Sequence, residues 1–472
     1  MNMIEMSAKA REGAKITKRE QISLVLSLSI PAILEQLVGT AMSYIDTAMV
    51  GSIGYKATAS IGVVASSTWL VGGITSSVAL GFAVQVAQHL GAGREEDARS
   101  VVKESIIFTF LFGFALSLLC YIIGFFLPSW LGAEEDIKRD AMLYFQVRAL
   151  FIPLSLLSVV FSSHLRCSGN VLLPSLMNIG MCVLDVLFNF ICIYPARYIG
   201  SVKVYGLGLG VTGAALGTGL AEGTIGILLF LFTIKGKGQL RLREKGGWRL
   251  TKNCIKKMVF LGAPSALERV TISLAQILMT AVVAAMGAVS VAANYVAVQT
   301  EGICYLPAYG ISSAATAMVG QSIGAGSKDL AKRFAAIAIV FGVMIVLLLA
   351  VLLFIYAPFL ASLLTSESEV IELAATVLRI VAFSEPLFAL AIVVSGALRG
   401  AGDSKGPFIL SSSTMWGIRV LSVLVYTKRF GVIGVWISMA IELATRGTVL
   451  FIRFLRGRWL ESGVKVVITH ES

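Results

Sequence analysis

The apolar residues of this chain fall into twelve long runs, and a short polar or glycine-containing stretch separates each run from the next. A helix needs about 20 predominantly apolar residues to cross the hydrocarbon core of a bilayer, and every run reaches that length. The pattern predicts an all-α membrane protein with twelve transmembrane helices. The predicted spans are 22–50, 58–88, 103–130, 140–165, 172–195, 207–234, 258–286, 290–323, 333–363, 370–398, 407–427 and 431–454.

The overall composition agrees with this pattern. Of the 472 residues, 57% are hydrophobic and 14% are charged, and the mean hydropathy is +0.85. These values exclude a soluble globular domain. A polar stretch precedes the first apolar run and no small-residue cleavage site follows it, so we expect no removed signal peptide.

The net charge of +12 is distributed as a topology signal. If both termini are cytoplasmic, the cytoplasmic segments carry 27 Lys and Arg residues and the external loops carry seven. Basic residues accumulate on the cytoplasmic side of membrane proteins, so this asymmetry predicts two cytoplasmic termini in the inner cell membrane. Because membrane topology accounts for the excess of Lys and Arg, we expect no nucleic-acid partner.

The six cysteines and three histidines show no spacing typical of a metal or catalytic site. No CxxC pair is present, and His89, His164 and His470 are far apart in the sequence. We therefore expect neither a metal centre nor an enzyme, and we interpret the cysteines as small apolar residues.

The sequence contains an internal repeat, so the two halves of the chain are predicted to share one structural unit. The segment LRCSGNVLLP at 165–174 recurs as LRGAGDSKGP at 398–407, and QHLGAG at 88–93 recurs as QSIGAG at 321–326, both 233 residues later. Six spans per half predict parallel repeats about an axis along the membrane normal. The predicted domains are an N-terminal six-helix lobe at 1–235, a basic cytoplasmic linker at 236–257 and a C-terminal six-helix lobe at 258–472.

Two acids interrupt the first apolar run. Glu35 and Asp46 lie eleven residues apart, which places both on one face of a helix. A charged side chain near the bilayer centre costs at least about 2.5 kcal/mol, so a retained acid normally faces the interior and has a task. We interpret Asp46 as functional. Glu35 lies only four residues after Pro31, and its alternative role is a carboxylate that reaches the membrane interface.

Polar side chains also mark the fifth and sixth spans. Asp185 and Asn189 are one helical turn apart in the fifth span, and Thr218 lies in the sixth. If the first, fifth and sixth spans pack together, these residues and Asp46 supply the oxygen ligands of a proton or Na+ site. The alternative is a buried hydrogen-bonded cluster that holds helices together, worth about 0.6 kcal/mol per contact.

The second half carries a different set of charges. The position that corresponds to Asp46 is Met279, so the two halves do not share this site. Glu268 and Glu301 have no evident basic partner and, with Glu35, are candidates for binding a cationic substrate. Glu442 and Arg446 lie four residues apart in the last span and are predicted to form a structural ion pair.

These motifs resemble those of the MATE (multidrug and toxic compound extrusion) family. The resemblance rests on SYIDTAMVG at 43–51, the paired VAQHLGAG and VGQSIGAG, the paired LRCSGN and LRGAGDSKGP, and WGIRV at 416–420. It implies two six-helix lobes around a V-shaped central cleft. It also implies a monomeric secondary antiporter that exports small organic, cationic compounds in exchange for H+ or Na+ and needs no cofactor beyond that ion.

Within that family, the chain looks most similar to the DinF-like prokaryotic branch. That resemblance implies a cation site in the first lobe, with a helix-1 aspartate matched by Asp46 and a helix-6 threonine matched by Thr218. The branch has Asn-x-x-x-Asp in helix 5, whereas this chain has Asp185 and Asn189 in the exchanged order. The acid of the NorM-like branch falls at Ile272 here, so its site is not carried over.

Other functions remain open at this point. A flippase for a lipid-linked or polar cargo would use the same two-lobe architecture. An intramembrane enzyme would need a His/Asp, Ser/His or metal cluster, and the sequence shows none. A channel would not need a duplicated bundle with single acids in one half.

The basic-residue asymmetry yields a topology prediction. A single cysteine replacing Lys245 should react with a membrane-impermeant reagent only from the cytoplasmic side, and one replacing Arg197 only from outside, because loops rich in Lys and Arg stay inside. Labelling in right-side-out and inverted vesicles measures both. The reverse pattern would overturn the orientation.

Overall fold

The computed structural model describes residues 2–199, 202–235, 240–242 and 248–462, and most of them are helical. The first half contains α1 (Met3–Arg11), α2 (Lys18–Gly51), α3 (Tyr55–Gly91), α4 (Glu95–Gly124), α5 (Leu127–Trp130), α6 (Glu135–Leu150), α7 (Ile152–Cys167), α8 (Leu172–Ile193) and α9 (Gly210–Lys235). The second half contains α10 (Lys252–Ala284), α11 (Ala288–Gly324), α12 (Lys328–Ser362), α13 (Ser368–Ala382), α14 (Glu385–Gly400), α15 (Lys405–Thr414), a π-helical turn (Met415–Val420), α16 (Leu421–Phe430), α17 (Val432–Leu455) and α18 (Trp459–Ser462).

All twelve predicted spans are helical in the structure. In the described part of the chain, nine helices are long and apolar enough to cross a membrane when 405–430 counts as one, and two bent pairs raise this to eleven. The bends are 50° between α6 and α7 and 55° between α13 and α14. The remaining predicted span, 290–323, lies in α11, which has 37 residues but is less apolar because it carries Gln, Glu, Tyr and many small side chains.

One local element was not predicted. The segment between α8 and α9, which the charge asymmetry predicts to be external, forms two antiparallel strands, β1 (Pro195–Ile199) and β2 (Val202–Leu207). The paired backbone groups of a hairpin satisfy each other, which a loop of this length must otherwise achieve with water.

The chain divides into two compact units. The N-unit consists of Val38–Val86 and Arg94–Val259, and the C-unit consists of Met1–Leu37, Ala87–Gly93 and Phe260–Ser472. The helices α2, α3 and α10 therefore contribute residues to both units. The domain limits at 235 and 258 stay a prediction, and residues 236–239 and 243–247 of the linker, including Lys245, lie outside the described residues.

The repeated LRxxG[ND] motif has the same structure in both halves. Gly169 has φ +89° and Gly402 has φ +93°, values that favour glycine because other side chains would clash. The N–H of the next residue, Asn170 or Asp403, donates to the carbonyl five positions earlier, which is the Schellman ending of a helix. The Asn170 and Asp403 side chains then accept a backbone N–H of the following helix, at 3.2 Å and 3.0 Å. The motif thus ends one helix and begins the next.

The repeated GAG motif lies where two helices cross in the C-unit. A Cβ placed on Gly91 would overlap the backbone of Gln321, and one placed on Gly324 would overlap the backbone of Gln88. The N-terminal helix α1 also contacts this crossing. Ser7 donates to the Gln321 side chain at 2.7 Å and Arg11 donates to the Gly91 carbonyl at 2.9 Å.

This crossing generates a stability prediction. Gly324→Ala should lower the midpoint of thermal unfolding, because overpacking a tight contact typically costs about 1 to 3 kcal/mol. Gly72→Ala is the matched control, since a Cβ at Gly72 meets no atom within 4 Å. Both variants can be compared by thermal unfolding in detergent. Equal unfolding midpoints for the two would show that the close approach does not constrain residue 324.

Candidate functional site

Polar side chains from three helices of the N-unit meet in one cluster, which we call the Asp46 cluster. It contains Asp46 of α2, Asp185 and Asn189 of α8 and Thr218 of α9. The helices α8 and α9 approach closely because α9 presents glycine at the contact. A Cβ on Gly217 would overlap Asn189, so a larger residue there would push the two helices apart.

The hydrogen bonds of the Asp46 cluster are incomplete. Asn189 Nδ2 donates to Asp46 Oδ1 at 2.9 Å. Asp185 lies beside Asp46 and Thr218, yet neither of its oxygens has a hydrogen bond of good geometry within the described residues, and the same holds for Asn189 Oδ1. Asp185 is 2% exposed and Asn189 is 1% exposed. Buried acceptors of this kind are normally satisfied, and their lone pairs suit a proton or a small cation.

The structure therefore brings together all four residues predicted for cation coupling. The sequence argument required the first, fifth and sixth spans to pack together, and α2, α8 and α9 meet this condition at these side chains. The exchanged order of Asp185 and Asn189 places the amide, not the second acid, in hydrogen-bond contact with Asp46. Their role in coupling stays a prediction.

Next to this cluster lies an ion pair that the sequence analysis missed. Arg148 Nη2 of α6 lies 3.0 Å from Glu222 Oε1 of α9, and the Ser155 hydroxyl donates to the other Glu222 oxygen. A signal was present in the sequence, because a base inside the fourth span requires an acid. Nothing local indicated that this acid is Glu222, which is 74 residues away.

The three acids considered for substrate binding lie in different surroundings. Glu35 is on the C-unit part of α2. Glu268 accepts from Arg399 Nη2 at 2.6 Å, so its charge is balanced by a base. Glu301 is 2% exposed and lies beside Glu385 of α14, which is fully buried.

The predicted ion pair of the last span is present. Arg446 Nη2 lies 2.7 Å from Glu442 Oε1, and Thr414 donates to the same oxygen at 2.8 Å. Both charged side chains are buried, and the contact neutralises them locally. Arg419 is close enough to act electrostatically on Glu442 and Glu301, and it lies on the π-helical turn at 415–420. Such turns are frequent at functional positions.

Comparison with known sequences identifies similar proteins along almost the whole chain. The chain is 25% identical to the probable multidrug resistance protein NorM of Thermotoga maritima, over 95% of this chain and 94% of that protein. It is 26% identical to the protein of the same name in Photorhabdus laumondii, over 93% and 96%. It is 25% identical to the uncharacterized transporter YisQ of Bacillus subtilis, over 93% and 95%.

Solved structures share the fold at low sequence identity. The Vibrio cholerae MATE transporter VcmN matches with a TM-score of 0.86 and 19% identity, over 95% of this chain and 99% of that one. A MOP superfamily transporter from Pyrococcus furiosus matches with a TM-score of 0.86 and 20% identity, over 94% and 97%. These matches confirm the predicted all-α fold of twelve helices in two six-helix lobes.

The family assignment follows from the sequence itself. The family model described as MatE matches residues 31–191 and 264–425, one match in each half of the repeat. Together the two matches cover more than half of the chain. The protein belongs to the MatE family.

Proposed function

We propose that this chain is a secondary active antiporter that exports small organic, cationic compounds by alternating access in exchange for H+ or Na+. The Asp46 cluster carries this proposal, because it holds two acids, an amide and a hydroxyl in a partly to fully buried position of a MatE-family chain. The relatives named as probable multidrug resistance proteins support multidrug efflux as the biological role. The protein is proposed to act as a monomer in the inner cell membrane, with both termini on the cytoplasmic side.

The chemistry of the Asp46 cluster suits reversible cation uptake. Two carboxylates in a low-dielectric site repel each other, and one bound proton or Na+ removes most of that repulsion. The Asn189 amide already donates to one Asp46 oxygen, whereas both Asp185 oxygens and Asn189 Oδ1 have no hydrogen bond within the described residues and are available to the ion. Binding and release of the ion would then change how strongly α2 is held against α8.

The helix that carries Asp46 contains a point at which it can change shape. Pro31 lies inside α2 and has no N–H, so the carbonyl of Ser27 lacks its usual helical partner. A helix bends most readily at such a position. A change in the ion bound at Asp46 would therefore alter how α2 packs by bending the helix at Pro31, without unfolding it.

The three candidate acids for substrate binding differ in whether a basic residue neutralises them. Arg399 neutralises Glu268, which weakens it as a site for an organic cation. Glu35 and Glu301 remain the candidates for this role. The Tyr305 and Phe388 rings, whose centroids are 5.2 Å apart, form an aromatic contact in the C-unit, and the guanidinium of Arg446 already lies over the Phe388 ring.

The exchanged acid and amide give a direct test. Asp46→Asn and Asp185→Asn should each abolish most export driven by an ion gradient, because each removes one of the two charges that bind the ion. The double exchange Asp185→Asn with Asn189→Asp should recover a substantial part, because it restores the same set of groups. Export of a fluorescent organic cation from proteoliposomes, under separate pH and Na+ gradients and normalised to folded protein, measures all three.

The purely structural alternative makes a different prediction for the same variants. If Asp185 and Asn189 only tie helices together, each change lowers expression or thermal stability and leaves the ion dependence unchanged. Near-normal gradient-driven export by well-folded Asp46→Asn would refute the proposed coupling site.

A further inference from the structure

The Arg148–Glu222 pair is built across the bend of the fourth span. Arg148 lies in the last turn of α6, Ser155 lies in the first turn of α7, and Glu222 of α9 contacts both. Only 17% of the Arg148 side chain and 20% of the Glu222 side chain are exposed. The Glu222 carboxylate is therefore held from both sides of the 50° bend.

Glycines on α9 allow the bend between α6 and α7 to pack close to Glu222. A Cβ on Gly219 would overlap the ring of Phe151, the residue at the bend, and one on Gly223 would lie 2.9 Å from Leu154. The bend consequently packs directly on the turn of α9 that carries Glu222. This placement is specific, because larger residues at 219 and 223 would move the bend away.

The ion pair belongs to the same electrostatic neighbourhood as the Asp46 cluster. Glu222 follows Thr218 by one helical turn and lies on the same face of α9. The charge of Arg148 acts on both Asp46 and Asp185. The titratable groups around Arg148 in the described residues are Asp46 from α2, Tyr144 from α6, Asp185 from α8 and Glu222 from α9, and α7 contributes the Ser155 hydroxyl.

Within the described residues, the hydrogen bonds of Arg148 leave one of its terminal nitrogens unused. Arg148 Nη1 is buried and has no hydrogen-bond partner within the described residues, while both Asp185 oxygens are also without one. An arginine stays charged at every physiological pH. Among the described residues the neighbourhood therefore contains three acids and one permanent cation, and a second positive charge arrives only with the coupling ion.

We propose that Arg148 is the fixed counter-charge of the coupling site and that Glu222 keeps it from binding Asp185. This inference rests on the proposed coupling role of Asp46 and Asp185. A nearby positive charge weakens the binding of H+ or Na+, which allows the ion to leave once per cycle. Glu222 engages Arg148 on the α9 side, so the arginine lowers ion affinity from a distance without occupying the ion's ligands. Both are positioning residues.

The proposal predicts opposite effects for the two single variants. Arg148→Gln removes the competing charge, so the ion should bind about tenfold or more tightly, as one unit of charge in a partly buried site shifts a binding midpoint by about one decade or more. Glu222→Gln frees Arg148 to pair with Asp185, so the ion should bind more weakly by a similar factor. The double variant removes one charge of each sign and should bind within about threefold of the original protein.

The experiment measures ion binding directly. Tryptophan fluorescence or thermal unfolding of the purified full chain is followed against Na+ at fixed pH and against pH without Na+. For Arg148→Gln the Na+ midpoint should fall, or the pH midpoint should rise, according to which ion couples. Lys56→Gln is the matched control, because it removes one positive charge of the N-unit that is paired with Asp136 at 2.6 Å, and its midpoint should not move.

Two further variants keep the outcome decisive. Arg148→Lys preserves the charge, so its midpoint should stay near that of the original protein even if stability falls. If Arg148→Gln does not fold, the weaker ion binding expected of Glu222→Gln carries the test. If the ion-binding midpoints of both single variants shift in the same direction, or stay unchanged while stability falls, the Arg148–Glu222 pair has only a structural role. Asp46→Asn separates the two hypotheses. If this variant keeps the ion response, the proposed coupling site itself is wrong. If it loses the ion response while the Arg148→Gln midpoint does not move, only the counter-charge role of Arg148 is rejected.

Discussion

The cost of placing charge in an apolar medium governs the interior of this protein. A lone charge inside a membrane span is expensive, and removing one partner of a buried ion pair is strongly destabilising. Accordingly, Glu442 lies against Arg446, Glu268 against Arg399 and Glu222 against Arg148. Asp46 and Asp185 differ from these acids, since the hydrogen bond described for Asp46 comes from an amide and no oxygen of Asp185 has one within the described residues.

This difference separates structural charges from exchangeable ones. An acid bonded to arginine is neutralised permanently, because arginine does not release its proton. In the proposed mechanism, an acid that meets only an amide and a hydroxyl is neutralised when an ion arrives and recharged when it leaves. The Asp46 cluster and the Arg148–Glu222 pair combine both kinds of acid within one set of packed helices, so the proposed coupling would tie ion affinity to the geometry of the bent fourth span.

The duplicated sequence supplies a common frame but not a common site. The turns at Gly169 and Gly402 have the same hydrogen bonds, and both halves contain a span that is bent by 50° to 55°. The chemistry differs between the halves, since Met279 stands where the first half has Asp46. Duplication preserved the positions where helices end and cross, because those positions depend on backbone conformation and small side chains. It did not constrain which polar groups point into the interior.

The sequence by itself determined the twelve spans, the repeat, the family and the four residues of the Asp46 cluster. Apolar run length, a fixed offset of 233 residues and the rarity of acids in spans are all properties of the linear chain. It did not show the β1–β2 hairpin or the two bends, although Pro153 and Pro386 lie just after the breaks. Proline in an apolar run is compatible with either a kink or a continuous helix.

Only the tertiary structure decided which charges meet. Arg148 and Glu222 are 74 residues apart, and Glu268 and Arg399 are 131 residues apart, so no local pattern assigns these partners. Glu442 and Arg446 were predictable because four residues on one helix span a single turn. Partners on different helices depend on how closely those helices approach and at what rotation. In this chain glycines such as Gly217 and Gly219 set that approach, and their effect is visible only once the facing helix is known.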